Sequence, residues 1–279
     1  MKVKANAKVN LVLDVIARME NGYHDLDMIM VPLTLCDELE VNLSDKDEII
    51  CDQKQFPLDE SNTIYKAIVL MRERFSLREH FHVKVTKRIP MQAGLAGGSA
   101  DGAAMLKAII TLCHIEIQED ELLIIAKQIG ADVPFCVVNK VSRVQGIGER
   151  VRPIKIDCPF YMLLVKPEEG VSTGQAFQMI DFANCEHPDV DQVEKALIDN
   201  DYDTFCKSIK NTLEASAFQI TPIIADIKKE LVNADMDAVL MSGSGSTVFA
   251  ITRDKEKINA LELMLKKKYK FVTQCEIVR

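Results

Sequence analysis

The stretch that decides the reading is Pro90-Met91-Gln92-Ala93-Gly94-Leu95-Ala96-Gly97-Gly98-Ser99-Ala100-Asp101. Before it, Phe81, Val83 and Val85 alternate with His82, Lys84 and Thr86, the period of a half-buried strand that ends at Arg88-Ile89-Pro90. After it, the pattern predicts a helix through about Cys113, with Leu106, Ile109 and Ile110 toward a core and Ser99 as N-cap. Consecutive small residues let backbone N–H groups come close to an anion. A helix start adds unpaired N–H groups and a partial positive charge, so loop and helix together make a phosphate site. Ser99 offers a hydroxyl to phosphate or to a magnesium ion. No Lys follows the glycines, which excludes the GxxxxGK[ST] loop, and the spacing excludes the GxGxxG fingerprint. Taken alone, the same residues would also serve as a tight turn before a packed helix.

Outward from this loop, apolar alternation over residues 3–17 predicts a strand, with further strands near Leu39–Leu43 and Glu48–Cys51. Asn62–Phe75 has helical spacing, with Ile64, Ala67, Ile68 and Met71 on one side. A second helix is predicted over Glu119–Ile129, stopped by Gly130. The pattern changes near Pro153–Pro159, and a domain boundary is expected at about residue 155, giving domains 1–155 and 156–279. Beyond it come a strand at Phe160–Val165 and helices from about Thr173 to Asn233. Strands at Ala238–Met241 and Thr247–Ile251 flank Ser-Gly-Ser-Gly-Ser, and a helix at Lys255–Lys268 precedes a last strand at Phe271–Val278. This order is that of an α+β fold.

The 279 residues carry 42 acidic and 34 basic side chains, a net charge of −8. A negative field repels a phosphate backbone, so nucleic-acid binding is not expected as the main role. The eight cysteines form no CxxC pair and read as small hydrophobes of a reducing compartment. No basic segment leading into an apolar stretch opens the chain, and no apolar run approaches the ~20 residues of a membrane span. A soluble, cytoplasmic protein is expected; its oligomeric state is not legible.

The central loop resembles the phosphate-binding motif of the GHMP kinases, P-x-x-[AG]-G-L-[GA]-[GS]-[GS]-S-[AST]-[DN]-A-A, with Gly102 where Ala is usual. Two more signatures of that superfamily follow in order. Ala7-Lys8-Val9-Asn10-Leu11 resembles its A-K-[IV]-N-L opening. Met241-Ser242-Gly243-Ser244-Gly245-Ser246-Thr247 resembles its third, Gly-rich motif, a string that by itself reads as a hairpin turn. The resemblance implies a ribosomal-protein-like N-terminal domain, a ferredoxin-like C-terminal domain, and ATP with Mg2+ as cofactors.

Within the superfamily, several segments resemble the diphosphocytidyl-methylerythritol kinases. Gly22-Tyr23-His24-Asp25 is similar to their D-G-Y-H-[ED] motif, with Asn21 in place of Asp. Glu60-Ser61-Asn62-Thr63-Ile64-Tyr65-Lys66-Ala67 is similar to a helix start near their nucleotide site. Gly130-Ala131-Asp132-Val133-Pro134-Phe135, Gly170-Val171-Ser172-Thr173 and Asn211-Thr212-Leu213-Glu214 match three further elements. The resemblance implies Lys8 and Asp132 as the catalytic pair, the carboxylate taking or orienting the hydroxyl proton and the cation steadying it. It implies Asn62 and Pro90–Ala100 as nucleotide-binding residues and Ser99 as a metal contact. It implies Asn10, Tyr23, His24 and Phe177 as substrate-binding residues, an aromatic ring suiting a pyrimidine face and an imidazole its polar edge. On local grounds Asp132 would be a turn residue, Lys8 a solvated strand residue, Tyr23-His24 a surface turn and Phe177 a core side chain. The implied reaction is ATP-dependent phosphorylation of the 2-hydroxyl of a cytidine-diphosphate ester of methylerythritol, on the non-mevalonate isoprenoid route. A GHMP kinase for another small alcohol, or a nucleotide-binding homologue without catalysis, is the alternative. One departure stands out: Asn139-Lys140-Val141-Ser142-Arg143-Val144 replaces a G-G-T-A-like turn, bringing Lys140 and Arg143 to where either can meet a diphosphate or solvent.

Overall fold

A computed structural model describes residues 1–278. The chain forms two compact units that interleave along the sequence: Met1–Ala7, Leu35–Ile89 and Ala96–Asn139 in the first, and Lys8–Thr34, Pro90–Leu95 and Lys140 onward in the second. Two long strands, β1 (Lys2–Arg18) and β2 (His24–Ser44), contribute residues to both.

In the first unit the C-terminal half of β2 pairs antiparallel with β4 (His80–Thr86), from Glu38 opposite Thr86 to Ser44 opposite His80. Strand β3 (Glu48–Cys51) runs parallel to β4 on its other side. The alternation read from the sequence is real: Phe81, Val83 and Val85 are buried with Leu39 and Val41. Four helices accompany them: α1 (Thr63–Phe75), α2 (Gly97–Leu112), α3 (Glu119–Ile129) and α4 (Val133–Val138). Helix α2 is apolar around most of its circumference and packs against the other three, as a central helix must. Gly102, the departure from the motif, has its reason here. A Cβ at that position would lie 3.0 Å from Thr63 Cβ on α1 and 3.3 Å from Ile129 Cγ2 on α3.

In the second unit the N-terminal half of β2 pairs with β5 (Ser142–Gly146), which pairs with β6 (Arg150–Pro153). A separate antiparallel sheet has the order β10-β7-β9-β8, from β7 (Tyr161–Lys166), β8 (Ala238–Met241), β9 (Val248–Thr252) and β10 (Phe271–Cys275). Strands β8 and β9 are buried at every residue, so their runs are continuously apolar rather than alternating. Helices α9 (Ile223–Asn233) and α10 (Lys255–Leu265) pack on this sheet. The stretch read as helical between Thr173 and Asn233 resolves into α5 (Thr173–Gln178), α6 (Val190–Ile198), α7 (Tyr202–Ser208), α8 (Glu214–Ile220) and α9.

Four details differ from the sequence reading. Helix α2 starts three residues early, with Ala96 in the left-handed region (φ 56°) as N-cap in place of Ser99, so Ser99 lies in the first turn. The β5–β6 hairpin and α4 had no periodic signal, being too short to show one. In the Gly-poor turn Asn139, which tolerates left-handed angles, caps α4 at φ 50° and donates its N–H to Phe135 O at 2.7 Å.

Arg143 is neither solvated nor facing an open groove. Its guanidinium binds Asp27 of β2 at 2.9 and 2.6 Å, Glu194 of α6 at 2.9 Å, and Asp191 of α6. Arg152, opposite it on β6, reaches both oxygens of Glu194 at 2.8 Å. The network ties α6 to the β2–β5–β6 sheet. Removing Arg143 leaves Asp27 partly buried without its cation, while Glu194 keeps Arg152. Arg143→Met is therefore expected to lower stability by about 3 kcal/mol in urea unfolding; a midpoint equal to the parent's would show that the network is replaceable.

Candidate active site

In the second unit, four separate segments meet around the start of its share of β1. Lys8 and Asn10 point to the same side, two residues apart on a strand. Both are buried, at 4% and 1% exposure, and Lys8 Nζ donates to Asn10 Oδ1 at 2.8 Å. The Asn10 amide donates to Met28 Sδ at 3.1 Å. The Lys8 main chain donates to Leu95 O at 3.1 Å, which brings in the end of the small-residue loop. That loop is held in turn by the third motif: Ser242 Oγ donates to Gly94 O at 3.0 Å and Thr247 N to Ala93 O at 3.2 Å. Gly94 has φ +72°, and a Cβ there would run into Ser242 O, so only glycine fits. Asn211 completes the set, its amide donating at 2.8 Å to both Met241 O and Gly243 O. Thr173 and Ser244 share a hydroxyl–hydroxyl bond of 2.8 Å. Pro90, Met91 and Gln92 lead into the loop, with Met91 40% exposed and Gln92 at φ 50°.

The substrate candidates lie in the same unit. His24 stacks on Phe177, with ring centroids 4.8 Å apart and planes 29° apart, and Phe182 lies parallel to it at 6.1 Å and 14°. Burial and the nearby Arg18 pull the His24 imidazole below its ordinary range, favouring the neutral ring. Tyr23 beside it is 58% exposed, a large aromatic surface facing solvent. Sequence reasoning missed Phe182; its only signal was a large apolar side chain, 38% exposed, among polar neighbours. His187 and Asp14 pair at 2.7 Å and join the loop that carries Phe182 to β1.

The first unit holds the helix start and the carboxylate. No side chain caps α2, so its first N–H groups are presented by Gly97, Gly98 and Ser99. A Cβ on Gly97 would stand 3.0 Å from Ile89 Cγ2; the absence of a side chain seats this turn close to the end of β4. An uncapped, glycine-lined helix N-terminus fits a phosphate. Among the described residues no group of three or more His, Cys, Asp or Glu can hold a metal ion. Asp132 occupies the N-cap position of α4, half-buried, yet its side chain makes no cap bond. Asn62 caps α1 instead: its Oδ1 accepts from Ile64 N at 2.8 Å and its amide donates to Pro57 O at 2.5 Å. Next to it lies an open recess of about 660 Å3 lined by Leu58, Asp59, Glu60, Ser61 and Tyr65.

The family model described as GHMP kinases N terminal domain matches residues 62–140, and GHMP kinases C terminal matches residues 193–270. A 4-diphosphocytidyl-2-C-methyl-D-erythritol kinase of Brevibacillus brevis is 38% identical over 94% of this chain and 90% of its own length. One of Geobacillus thermodenitrificans is 40% identical over 90% of this chain and 88% of its own. A crystal structure of 4-(cytidine 5'-diphospho)-2C-methyl-D-erythritol kinase superposes with a TM-score of 0.83 at 28% identity, covering 99% of this chain and 98% of that one.

Asn211 satisfies two buried carbonyls at once, so Asn211→Ala strands both. Its expected cost is about 2 kcal/mol, read as a lowered thermal midpoint; Asn211→Ala with the parent's midpoint would mean that these carbonyls find other donors.

Proposed function

The chain belongs to the 4-diphosphocytidyl-2-C-methyl-D-erythritol kinases of the GHMP kinase superfamily, and we infer from that premise that it transfers the terminal phosphoryl group of ATP to the 2-hydroxyl of 4-diphosphocytidyl-2-C-methyl-D-erythritol. The observation that carries the reading is the packing of Lys8, Asn10, Gly94, Asn211 and Ser242, drawn from four motifs, into one buried cluster. The His24–Phe177–Phe182 stack supports a cytidine-bearing substrate over a small aliphatic alcohol such as homoserine. Its parallel rings leave Tyr23 exposed alongside, suited to a pyrimidine face.

In this reading Pro90–Ala100 hold the triphosphate, through main-chain N–H groups and the positive end of α2. The recess beside Asn62 supports placing the rest of the nucleotide against α1. A magnesium ion, when bound with ATP, offsets the charge of the phosphate oxygens, and the Ser99 hydroxyl is the side chain proposed to hold it. Asp132 takes or orients the proton of the acceptor hydroxyl. Lys8, held by Asn10, presents a fixed ammonium to the negative charge that grows on the transferring group. Asn10 positions Lys8 and is proposed to touch the substrate.

The two family matches fall on either side of residue 155, which supports 1–155 and 156–279 as the N- and C-terminal sequence regions, whereas the compact units interleave across that boundary. Among the described residues no helix is long and apolar enough to cross a membrane. The eight cysteines are free thiols, which supports a reducing cytoplasm as the place of action.

Asp132→Asn is expected to keep ATP affinity and to lower kcat by about 10²–10⁴-fold in a coupled ADP-release assay; near-normal kcat would remove the carboxylate from the chemistry. Tyr23→Ala is expected to raise KM for the cytidine substrate by about tenfold, as the loss of one stacked base implies, with KM for ATP unchanged. Equal changes in both constants would contradict stacking.

A further inference from the structure

Residues 179–189 connect α5 to α6 without a helix or strand of their own. Most side chains from 181 to 187 are exposed, and a surface connection of this kind is ordinarily free to move. This one is pinned to residues far away in the chain. His187 Nδ1 stands 2.7 Å from Asp14 Oδ1 on β1, and the Asp14 side chain is only 13% exposed. The Thr212 hydroxyl is 3.1 Å from the same carboxylate oxygen and 3.3 Å from Glu186 O. Lys210 Nζ donates to Glu186 Oε2 at 2.7 Å. Within the segment, Asp181 closes a turn by accepting from Ala183 N at 3.1 Å and from the Asn184 amide at 2.8 Å.

Both nitrogens of His187 are engaged. A carboxylate only accepts, so Nδ1 carries the hydrogen shared with Asp14, and Nε2 faces the Cys185 thiol at 3.5 Å. Lys210 and Thr212 flank Asn211, whose amide holds Gly243 O at 2.8 Å. A Cβ on Gly243 would be 3.3 Å from Lys8 Nζ. The pinned segment and the Lys8 cluster are therefore fixed to the same short stretch, residues 210–212.

The ring that this segment carries to the imidazole is Phe182. Its plane is 14° from that of His24 with centroids 6.1 Å apart, and Phe177 approaches the same imidazole at 4.8 Å and 29°. The χ2 torsion of a histidine is otherwise broad and roughly two-fold. Turning this imidazole about χ2 would swing its edge toward rings that now lie parallel to it. Phe177 sits on a helix that Ser172 caps, its Oγ accepting from Gln175 N at 3.5 Å. Phe182 has no helix beneath it, so its place depends on the anchor at Asp14. A polar ring held in one orientation meets a base edge without losing torsional freedom on binding, and that loss is a direct cost to affinity.

We propose that Phe182 is a positioning residue for His24 in recognition of the base-bearing substrate, and that the Asp14–His187 pair is the anchor that keeps Phe182 in place. The inference rests on the reading that His24 meets the base of a cytidine-bearing substrate. It adds a second ring behind that contact, and a hydrogen-bonded pair behind the ring.

The test is steady-state ADP release by the full chain, with 4-diphosphocytidyl-2-C-methyl-D-erythritol and ATP varied in turn. Phe182→Ala and His187→Leu are each expected to raise KM for the cytidine ester by about tenfold, the scale of one aromatic stack on a base. KM for ATP and kcat are expected to stay within about twofold, the pattern of lost substrate binding rather than lost chemistry. Phe182→Tyr keeps the ring and His187→Asn keeps an N–H where Nδ1 stands, so both are expected to retain the parent's KM. Should Phe182→Ala or His187→Leu not fold, the other decides. A purely structural loop would lower the thermal midpoint and leave both KM values unchanged. An unchanged KM for the cytidine ester in either folded variant, or an equal rise for ATP, overturns the inference and leaves the kinase reading standing. A parent that does not phosphorylate the cytidine ester overturns the kinase reading and the inference with it.

Discussion

The main chain at Gly94 runs so close to the Ser242 carbonyl that no side chain fits between them. Everything assembled in the second unit depends on that approach. It lets Ser242 Oγ bond Gly94 O and Thr247 N bond Ala93 O, and so seats Leu95 where its carbonyl receives the Lys8 N–H. A Gly-rich string is tolerant by itself. Here two of them are pressed together, and their lack of side chains becomes a requirement of packing rather than of turn geometry.

Buried charge is handled in three chemically distinct ways. Lys8 donates to the side-chain amide oxygen of Asn10, which orients the ammonium. Arg143 is surrounded by three carboxylates and serves only to join α6 to a sheet. Lys87 lies between two aspartates, Asp37 and Asp101, and pairs with both. The partner, more than the buried cation itself, decides which of these roles follows.

The aromatic cluster follows a similar logic. His24, pulled toward its neutral form by burial, stacks with Phe177 and Phe182, while Tyr23 remains exposed. Burial and the nearby Arg18 both favour the neutral imidazole, which has one donor and one acceptor for a polar base edge.

The sequence by itself determined the α+β class, most element positions and the family. Alternation at Phe81–Val85, the 3.6-residue period of Asn62–Phe75 and the Gly130 stop are local signals, written in neighbouring residues. The motif residues Lys8, Gly94 and Ser242 were legible for the same reason: each lies in a short string with its own pattern. What only the tertiary structure decided depends on residues far apart in the chain. Arg143 was ambiguous until Asp27, Asp191 and Glu194 surrounded it. Phe182 was unremarkable until His24 lay parallel to it. Ser99 read as an N-cap until the helix, with Gly97 packed close on Ile89, began three residues earlier. Asp101 read as one more motif position until burial beside Lys87 and Asp37 made its charge costly. Burial and long-range pairing set these outcomes, and neither has a period in the sequence.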